Sequence, residues 1–286
     1  MTNKGNFIAE LRKEAGYTQK TLAEALHITD KAVSKWERGL SLPDVSLLPK
    51  LSLLLDIDMS FLLESKTERP HEGWKGLIDL RDYNVDIGEK IFDKPLVYYI
   101  LTHFMLADIF EICFLGSDIN RQYLQNSDLS SFGFRFSYSF DDTSDENWMI
   151  MNRPCFLFGS DLTHHYQGAM VSNSLLKLAP ENMSAPILFC PAEYAPMYSK
   201  NPDYLMMSAS TRTLGRGMLC IDMCDDVSLL EASMFVRLYQ KHSSMALGSI
   251  EEISFRKGMI DEEGLEGKLA GRPYRDLVIS DKEDIK

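Results

Sequence analysis

The chain has 286 residues, of which 45% are hydrophobic and 25% charged, a composition typical of globular proteins with one or two packed cores. Its 30 Lys and Arg residues are outnumbered by 42 Asp and Glu residues, and the formal net charge of -12 excludes a polycation that coats nucleic acid or anionic lipid. Any contact with DNA must therefore be local.

The sequence has no membrane signal and no disulfide framework. No segment approaches the roughly 18 consecutive apolar residues that a membrane span needs, and the polar start lacks the pattern of a secretory signal. The cysteines are odd in number and widely spaced, which favours reduced thiols. We therefore expect a cytoplasmic protein without a membrane partner. The cysteines are Cys113, Cys155, Cys190, Cys220 and Cys224.

Helical periodicity dominates the first 65 residues. Apolar residues at helical spacing predict a first helix over about 4–15, which Gly16 ends. Thr18 and Thr29 have the side chains of N-caps, and they predict the starts of a second and a third helix. The third helix has a stripe of residues expected to be buried, formed by Ala32, Val33 and Trp36.

Two helices joined by a tight turn are typical of proteins that place a recognition helix in the major groove. Residues 1–40 contain seven Lys and Arg against five Asp and Glu, a local excess of positive charge. Lys31, Ser34 and Lys35 fall on the exposed face of the third helix. A polar helix face is also typical of ordinary solvated surface, so spacing alone leaves both interpretations open.

Two strings in this region resemble a known family. TQKTLA at 18–23 and ITDKAVSKWERG at 28–39, followed by Pro43, resemble the lambda-repressor-like, xenobiotic-response-element class of helix-turn-helix regulators over residues 5–63. The resemblance implies a fourth helix around Leu47 to Leu55, a closing helix at 58–62, and binding to double-stranded operator DNA as a homodimer or higher homo-oligomer. It also assigns DNA contacts to Gln19, Thr29, Asp30, Lys31, Ser34 and Lys35.

A polar stretch that contains Pro70 separates this region from the rest of the chain. We predict a helix-turn-helix domain over 1–66, a linker over 67–74 and a second domain over 75–286. The second domain alternates strand-like and helix-like segments, which predicts an α/β layered fold with a mostly parallel sheet. It begins with a βαβ unit. Predicted strands are 76–80, 109–115, 132–140, 155–158, 187–190 and 218–221, and predicted helices are 94–107 and 225–242.

Four segments of the second domain resemble glucose 1-phosphate thymidylyltransferases in order. They are IFDKPLVYY at 91–99, LGRG at 214–217, SLLEAS at 228–233 and EEISFRKG at 251–258. The resemblance spans residues 76 to about 272, and it implies a Rossmann-like nucleotidyltransferase fold.

The chain departs from this family where the family binds phosphate and metal. The Gly-rich loop is replaced by residues 79–88, in which Asp79, Asp82 and Asp86 outnumber Arg81. Ser160 stands at one metal position unless a one-residue shift lets Asp161 serve, and Asp222 matches the other. We therefore expect a pseudoenzyme that needs no cofactor. Magnesium would be required only if transferase activity persists, and Asp222 with Asp161 would be a vestigial metal site.

The family resemblance also implies a regulatory site in the closing third. Glu252, Ile253 and Arg256 match positions that bind an end-product nucleotide sugar in many family members. An Arg can meet a phosphate with two hydrogen bonds, but it can equally form a salt bridge to Glu251 or Glu252 on its own helix. The sequence leaves both alternatives open.

These observations favour a transcriptional regulator whose nucleotidyltransferase-like domain dimerises and senses a nucleotide sugar or sugar phosphate. One rival is an active sugar 1-phosphate nucleotidyltransferase with an appended DNA-binding domain. The other is an assembly module that binds no ligand.

Overall fold

The computed structural model describes residues 8–9, 11–13, 15–38, 40–41, 43–55, 71–159, 162–180, 185–215, 218–243 and 245–283. The chain divides into two compact units, one of residues 1–72 with 163–168 and the other of residues 73–162 with 169–286. A helical amino-terminal part followed by an α/β part confirms the predicted fold class. The bounds predicted at residues 66 and 74 stay a prediction.

The amino-terminal unit is built from short helices with buried leucines between them. Helix α1 covers residues 8–9 and 11–13, and it is followed by α2 (Gln19–Leu26), α3 (Asp30–Glu37) and α4 (Leu48–Leu55). The start of the predicted first helix and the closing helix at 58–62 lie outside the described residues. Buried side chains that pack this unit include Leu22, Leu26, Val33, Trp36 and Leu51.

Both predicted N-caps of this unit are confirmed. The Thr18 hydroxyl accepts a hydrogen bond from the Thr21 amide at 3.1 Å, and the Thr29 hydroxyl accepts one from the Ala32 amide at 3.3 Å. Between the two helices, His27 adopts a left-handed φ of 58°, which reverses the chain within a tight turn. The caps and the turn fix where α3 begins.

The second unit contains a seven-stranded mixed sheet with the order β10-β8-β9-β6-β1-β4-β5. Strand β9 runs antiparallel to β6 and β8, and the other neighbours in this sheet are parallel. Pairs β2-β3 and β7-β11 are separate and antiparallel. The strands are β1 (Trp74–Asp79), β2 (Lys90–Ile91), β3 (Lys94–Pro95), β4 (Glu111–Leu115), β5 (Arg135–Ser137), β6 (Asn147–Met151), β7 (Cys155–Phe158), β8 (Leu176–Ala179), β9 (Ile187–Cys190), β10 (Ser210–Thr213) and β11 (Leu219–Asp222).

Helices follow or flank these strands. Parallel strands β1 and β4 are joined through α5, which confirms the predicted βαβ unit. None of the described helices is both long and apolar enough to cross a membrane. The helices are α5 (Leu96–Leu106), α6 (Asp118–Asn126), α7 (Leu162–Ser172), α8 (Ala195–Lys200), α9 (Pro202–Ser208), α10 (Asp226–Ser243), α11 (Ile250–Arg256), α12 (Glu262–Leu269) and α13 (Arg275–Glu283).

The structure corrects several predicted strands. The strand predicted over 132–140 is only Arg135–Ser137, because Phe132 ends a 3₁₀ turn that Gly133 closes with φ 87°. Strands β6, β8 and β10 were not predicted from the sequence. Strand β6 is a short Met- and Trp-rich run without alternation, and most of β10 is exposed. The five cysteines are free thiols.

Candidate functional site

Helix α3 has a buried face and an exposed face. Val33 and Trp36 point into the core, with Trp36 5% exposed, which confirms the predicted core position of this tryptophan. Lys31 and Lys35 are exposed one helical turn apart, and Ser34 is partly exposed beside them. The exposed face therefore presents two cations and a hydroxyl side by side.

The amino-terminal end of α3 also carries polar groups. Thr29 caps the helix, and the Asp30 carboxylate accepts a hydrogen bond from the Lys31 amide at 2.8 Å. Both residues are exposed. Five of the six residues predicted to contact DNA thus lie on α3 or at its cap.

The sixth, Gln19, begins α2 and is tied to the far end of α3. Its Nε2 donates a hydrogen bond to the Glu37 carboxylate at 2.7 Å. Arg12 from α1 donates to the same carboxylate through Nε at 2.5 Å and Nη2 at 3.3 Å, and to the Tyr17 carbonyl at 2.6 Å. Glu37 therefore joins α1, α2 and α3, a network that the sequence did not predict because its members are distant along the chain.

Gln19 also lines a shallow cationic cleft of about 490 Å³. The cleft lies at the start of α2, where backbone amides and the helix dipole favour an anion. Lys13 and Lys20 add positive charge, and Asp30 also lines the cleft. The remaining lining residues are Arg12, Gly16, Tyr17 and Thr18.

In the second unit, hydrogen bonds close the segment 79–88, which the sequence analysis matched to a Gly-rich loop. Arg81 meets the Asp79 carboxylate with two hydrogen bonds of 2.8 Å, and the Tyr198 hydroxyl donates to the same carboxylate at 3.0 Å. Because the guanidinium is already held by a carboxylate, a phosphate would have to displace that partner.

The backbone of the same segment is fastened to α6. Asn120, which is 1% exposed, donates to the Val85 carbonyl at 2.8 Å and accepts from the Ile87 amide at 3.1 Å. The Gly88 amide donates to the Asp86 carboxylate at 2.8 Å. Amides that an open phosphate-binding loop presents to its ligand are here used inside the protein.

Asp222, the residue matched to a metal ligand, accepts a hydrogen bond from Arg153 at 2.8 Å. Arg153 thus pairs with Oδ2 of this carboxylate, whereas its Oδ1 has no hydrogen-bond partner within the part of the chain that the structure describes. Asp161 and Ser160 lie outside the described residues, and among those described no group of three His, Cys, Asp or Glu side chains could hold a metal. The vestigial metal site of Asp222 and Asp161 therefore stays a prediction.

Helix α11 carries Glu252, Ile253 and Arg256. Arg256 Nε lies 2.8 Å from Glu252 Oε1, which is the salt bridge within one helix that the sequence left as an alternative. The Arg256 side chain is 44% exposed. The predicted ligand residues are close together, but Glu252 competes with an anionic ligand.

The two units resemble different groups of known proteins. Residues 8–62 match the helix-turn-helix family model HTH_3. The HTH-type transcriptional regulator ImmR of Bacillus subtilis is 42% identical over 59 residues, which is 21% of this chain and 46% of ImmR. SinR of Bacillus licheniformis, also an HTH-type transcriptional regulator, is 34% identical over 80 residues, or 26% of this chain and 72% of SinR. The chain thus spans about half the length of ImmR.

Similar solved structures include a thymidylyltransferase and a pyrophosphorylase. A Bacillus anthracis structure described as a glucose-1-phosphate thymidylyltransferase gives a TM-score of 0.46 with 11% identity, over 57% of this chain and 95% of that chain. A UDP-glucose pyrophosphorylase from Acinetobacter baumanii gives 0.44 with 8% identity, over 61% of this chain and 95% of that chain. Similarities this distant assign no activity.

Proposed function

The chain belongs to the helix-turn-helix family of HTH-type transcriptional regulators, and from this premise we propose that it binds double-stranded operator DNA as a homodimer. The observation that carries the proposal is the exposed face of α3, where Lys31 and Lys35 project on the side opposite Val33 and Trp36. Such a face, held by two N-caps and a tight turn, suits insertion into a major groove. A symmetric dimer would read two half-sites.

The chemistry of each side chain suggests what it reads. Lys31 and Lys35 donate hydrogen bonds, which suits the O6 and N7 acceptors of guanine, whereas the Asp30 carboxylate suits the N4 donor of cytosine. Thr29 and Ser34 can contact either kind of group. Gln19, held by Glu37 at the cationic cleft, suits a contact to the DNA backbone that fixes the register.

Selection of DNA fragments from a random pool by the full-length protein tests this function. We expect a two-fold symmetric sequence to be enriched, and its affinity to fall steeply as salt rises, because binding releases counterions from the phosphates. Enrichment of no sequence, or binding that does not respond to salt, would overturn the proposal.

For the second unit we propose a domain without transferase activity. The pairs Arg81–Asp79 and Arg153–Asp222 support this, since phosphoryl transfer depends on metal ions and free cations at those positions. We expect no pyrophosphate release from thymidine triphosphate and glucose 1-phosphate in the presence of Mg²⁺. The measurement is a coupled pyrophosphate assay. Turnover that disappears in the Asp222→Asn variant would show an active enzyme instead.

We also propose that Glu252, Ile253 and Arg256 bind a nucleotide sugar or sugar phosphate. A thermal-shift titration with thymidine and uridine nucleotide sugars should raise the melting temperature of the wild type, and Arg256→Ala should abolish that rise. Equal shifts in the wild type and Arg256→Ala would place the ligand elsewhere, and no shift with any of these compounds would favour an assembly module without a ligand.

If the effector also changes DNA affinity, the coupling must be reciprocal. Operator DNA should then tighten effector binding by the same factor as the effector tightens DNA binding, typically about 5- to 150-fold. The two factors can be measured independently by titration of each ligand in the presence of the other.

A further inference from the structure

Helix α10 carries an apolar stripe on its solvent side. The stripe residues recur at intervals of three or four positions, so they lie on one face of this 18-residue helix, which is about 27 Å long. Their exposure is unusual for large apolar side chains that form a continuous row. The stripe consists of Val227, Leu230, Met234 and Leu238, which are 68%, 62%, 57% and 56% exposed.

Phe92 extends this stripe to one side. It lies in the turn between β2 and β3, it is 45% exposed, and it has a left-handed φ of 59°, which is costly for a bulky side chain. Its amide donates to the Ser233 hydroxyl of α10 at 3.1 Å. The Phe92 side chain is thus only partly covered by its own unit.

The hairpin that holds Phe92 is fixed rigidly to α10. Lys94, which is fully buried, donates to Asp93 at 2.9 Å and to Gln240 of α10 at 3.1 Å, and Gln240 donates back to Asp93 at 2.8 Å. The Lys94 ammonium also lies 3.7 Å from the centroid of the Tyr274 ring. The stripe and Phe92 therefore form one preorganised surface.

The charged residues of α10 indicate which partner fits this surface. Exposed acidic residues, Asp226 and Glu231, lie in its amino-terminal half, and exposed basic residues, Arg237 and Lys241, lie in its carboxy-terminal half. A second α10 that runs antiparallel would set opposite charges against each other, whereas a parallel one would set like charges together. The helix is thus complementary to itself about a two-fold axis.

We infer that α10 and Phe92 form the dimer interface of this chain, with the α10 helices of two copies packed antiparallel about an axis near Met234. Asp226 of one copy then lies beside Lys241 of the other. The inference deepens the proposed function by naming the surface that joins the two subunits. It rests on the proposed function only where it implies that DNA binding requires the dimer. The pairing itself is tested without DNA.

Sedimentation velocity of the full chain over a range of concentrations tests the interface. The wild type should be a dimer, and Met234→Glu should raise the dimer Kd by more than about 100-fold, because two carboxylates meet at the axis. Met207→Glu is the matched control, since Met207 is 82% exposed on α9, and it should leave the Kd unchanged. Phe92→Gly should also weaken the dimer, because it removes the ring while glycine adopts this φ freely.

Charge exchange tests the antiparallel arrangement. Asp226→Lys and Lys241→Glu should each weaken the dimer by about 3- to 10-fold, and the double variant should recover most of the loss. A monomeric wild type, an unaffected Met234→Glu dimer or a double variant as weak as its single variants would overturn the inference. A dimer that behaves as expected but enriches no DNA would leave this interface standing and remove the proposed function.

Discussion

Replacing Glu37 with alanine should lower the free energy of unfolding of the helix-turn-helix unit by about 3 kcal/mol. The Arg12 and Glu37 side chains are only 9% and 8% exposed, so the substitution leaves a guanidinium that is nearly buried and has lost its carboxylate. It also removes the acceptor that orients Gln19. Urea unfolding followed by circular dichroism measures the loss. Glu24→Ala is the matched control, because Glu24 is exposed on α2.

The contact between Arg12 and Glu37 also predicts that the stability of the helix-turn-helix unit depends on pH. Burial of Glu37 opposes its ionisation, but hydrogen bonds from Arg12 and Gln19 outweigh burial and hold the pKa of this carboxyl below its ordinary value. A folded-state pKa below the unfolded value gives stability that is fully present above the unfolded pKa and is lost as pH falls through the folded one. The wild type should therefore be more stable than the Glu37→Gln variant near neutral pH, and this difference in the free energy of unfolding should disappear in acid. Equal acid dependence in the two proteins would show that the ion pair does not stabilise the unit.

Features that depend on neighbouring residues were predicted well from the sequence. The caps at Thr18 and Thr29 act within a single turn, and the repeat of apolar residues defined the buried face of α3. The βαβ unit could also be predicted from the sequence, because β1, α5 and β4 each have a hydrophobic pattern of sufficient length. Local chemistry determines these elements, so a single sequence is enough to find them.

Features that arise from tertiary packing were not predicted. Glu37 is 25 residues from Arg12, and nothing in their spacing indicates that α1 and α3 bring them together. Tyr198 likewise reaches Asp79 across 119 residues. For Arg256 the sequence offered two partners with comparable chemistry, a phosphate or a carboxylate on the same helix, and only the fold shows Glu252 within 2.8 Å.

The sign of local charge explains how an acidic chain can bind DNA. The net charge of -12 repels phosphate at long range, but screening limits this repulsion to about 10 Å at 0.1 M salt. The amino-terminal forty residues have an excess of positive charge, and the cleft at the start of α2 concentrates Lys13 and Lys20 near α3. At contact distance, this local positive charge therefore favours DNA binding even though the whole molecule is acidic.

Lys35→Ala should weaken binding to the selected operator by about 5- to 150-fold, or about 1 to 3 kcal/mol, if Lys35 reads a base with two hydrogen bonds. Lys35 lies one turn beyond Lys31 on the exposed face, and its substitution leaves the buried contacts of Val33 and Trp36 intact, so the fold should be unaffected. Lys31→Ala should have an effect of similar size. Fluorescence anisotropy with labelled operator measures both.

The pattern of loss distinguishes reading of bases from attraction to phosphate. A base contact predicts relaxed specificity at one position of the operator, whereas a phosphate contact predicts uniform weakening of all sequences and a salt slope smaller by about one. Lys50→Ala is the control, since Lys50 is exposed on α4 and not on α3. If Lys31→Ala and Lys35→Ala bind operator and random DNA as the wild type does, α3 does not enter the groove, and another surface of the helix-turn-helix unit must contact the DNA.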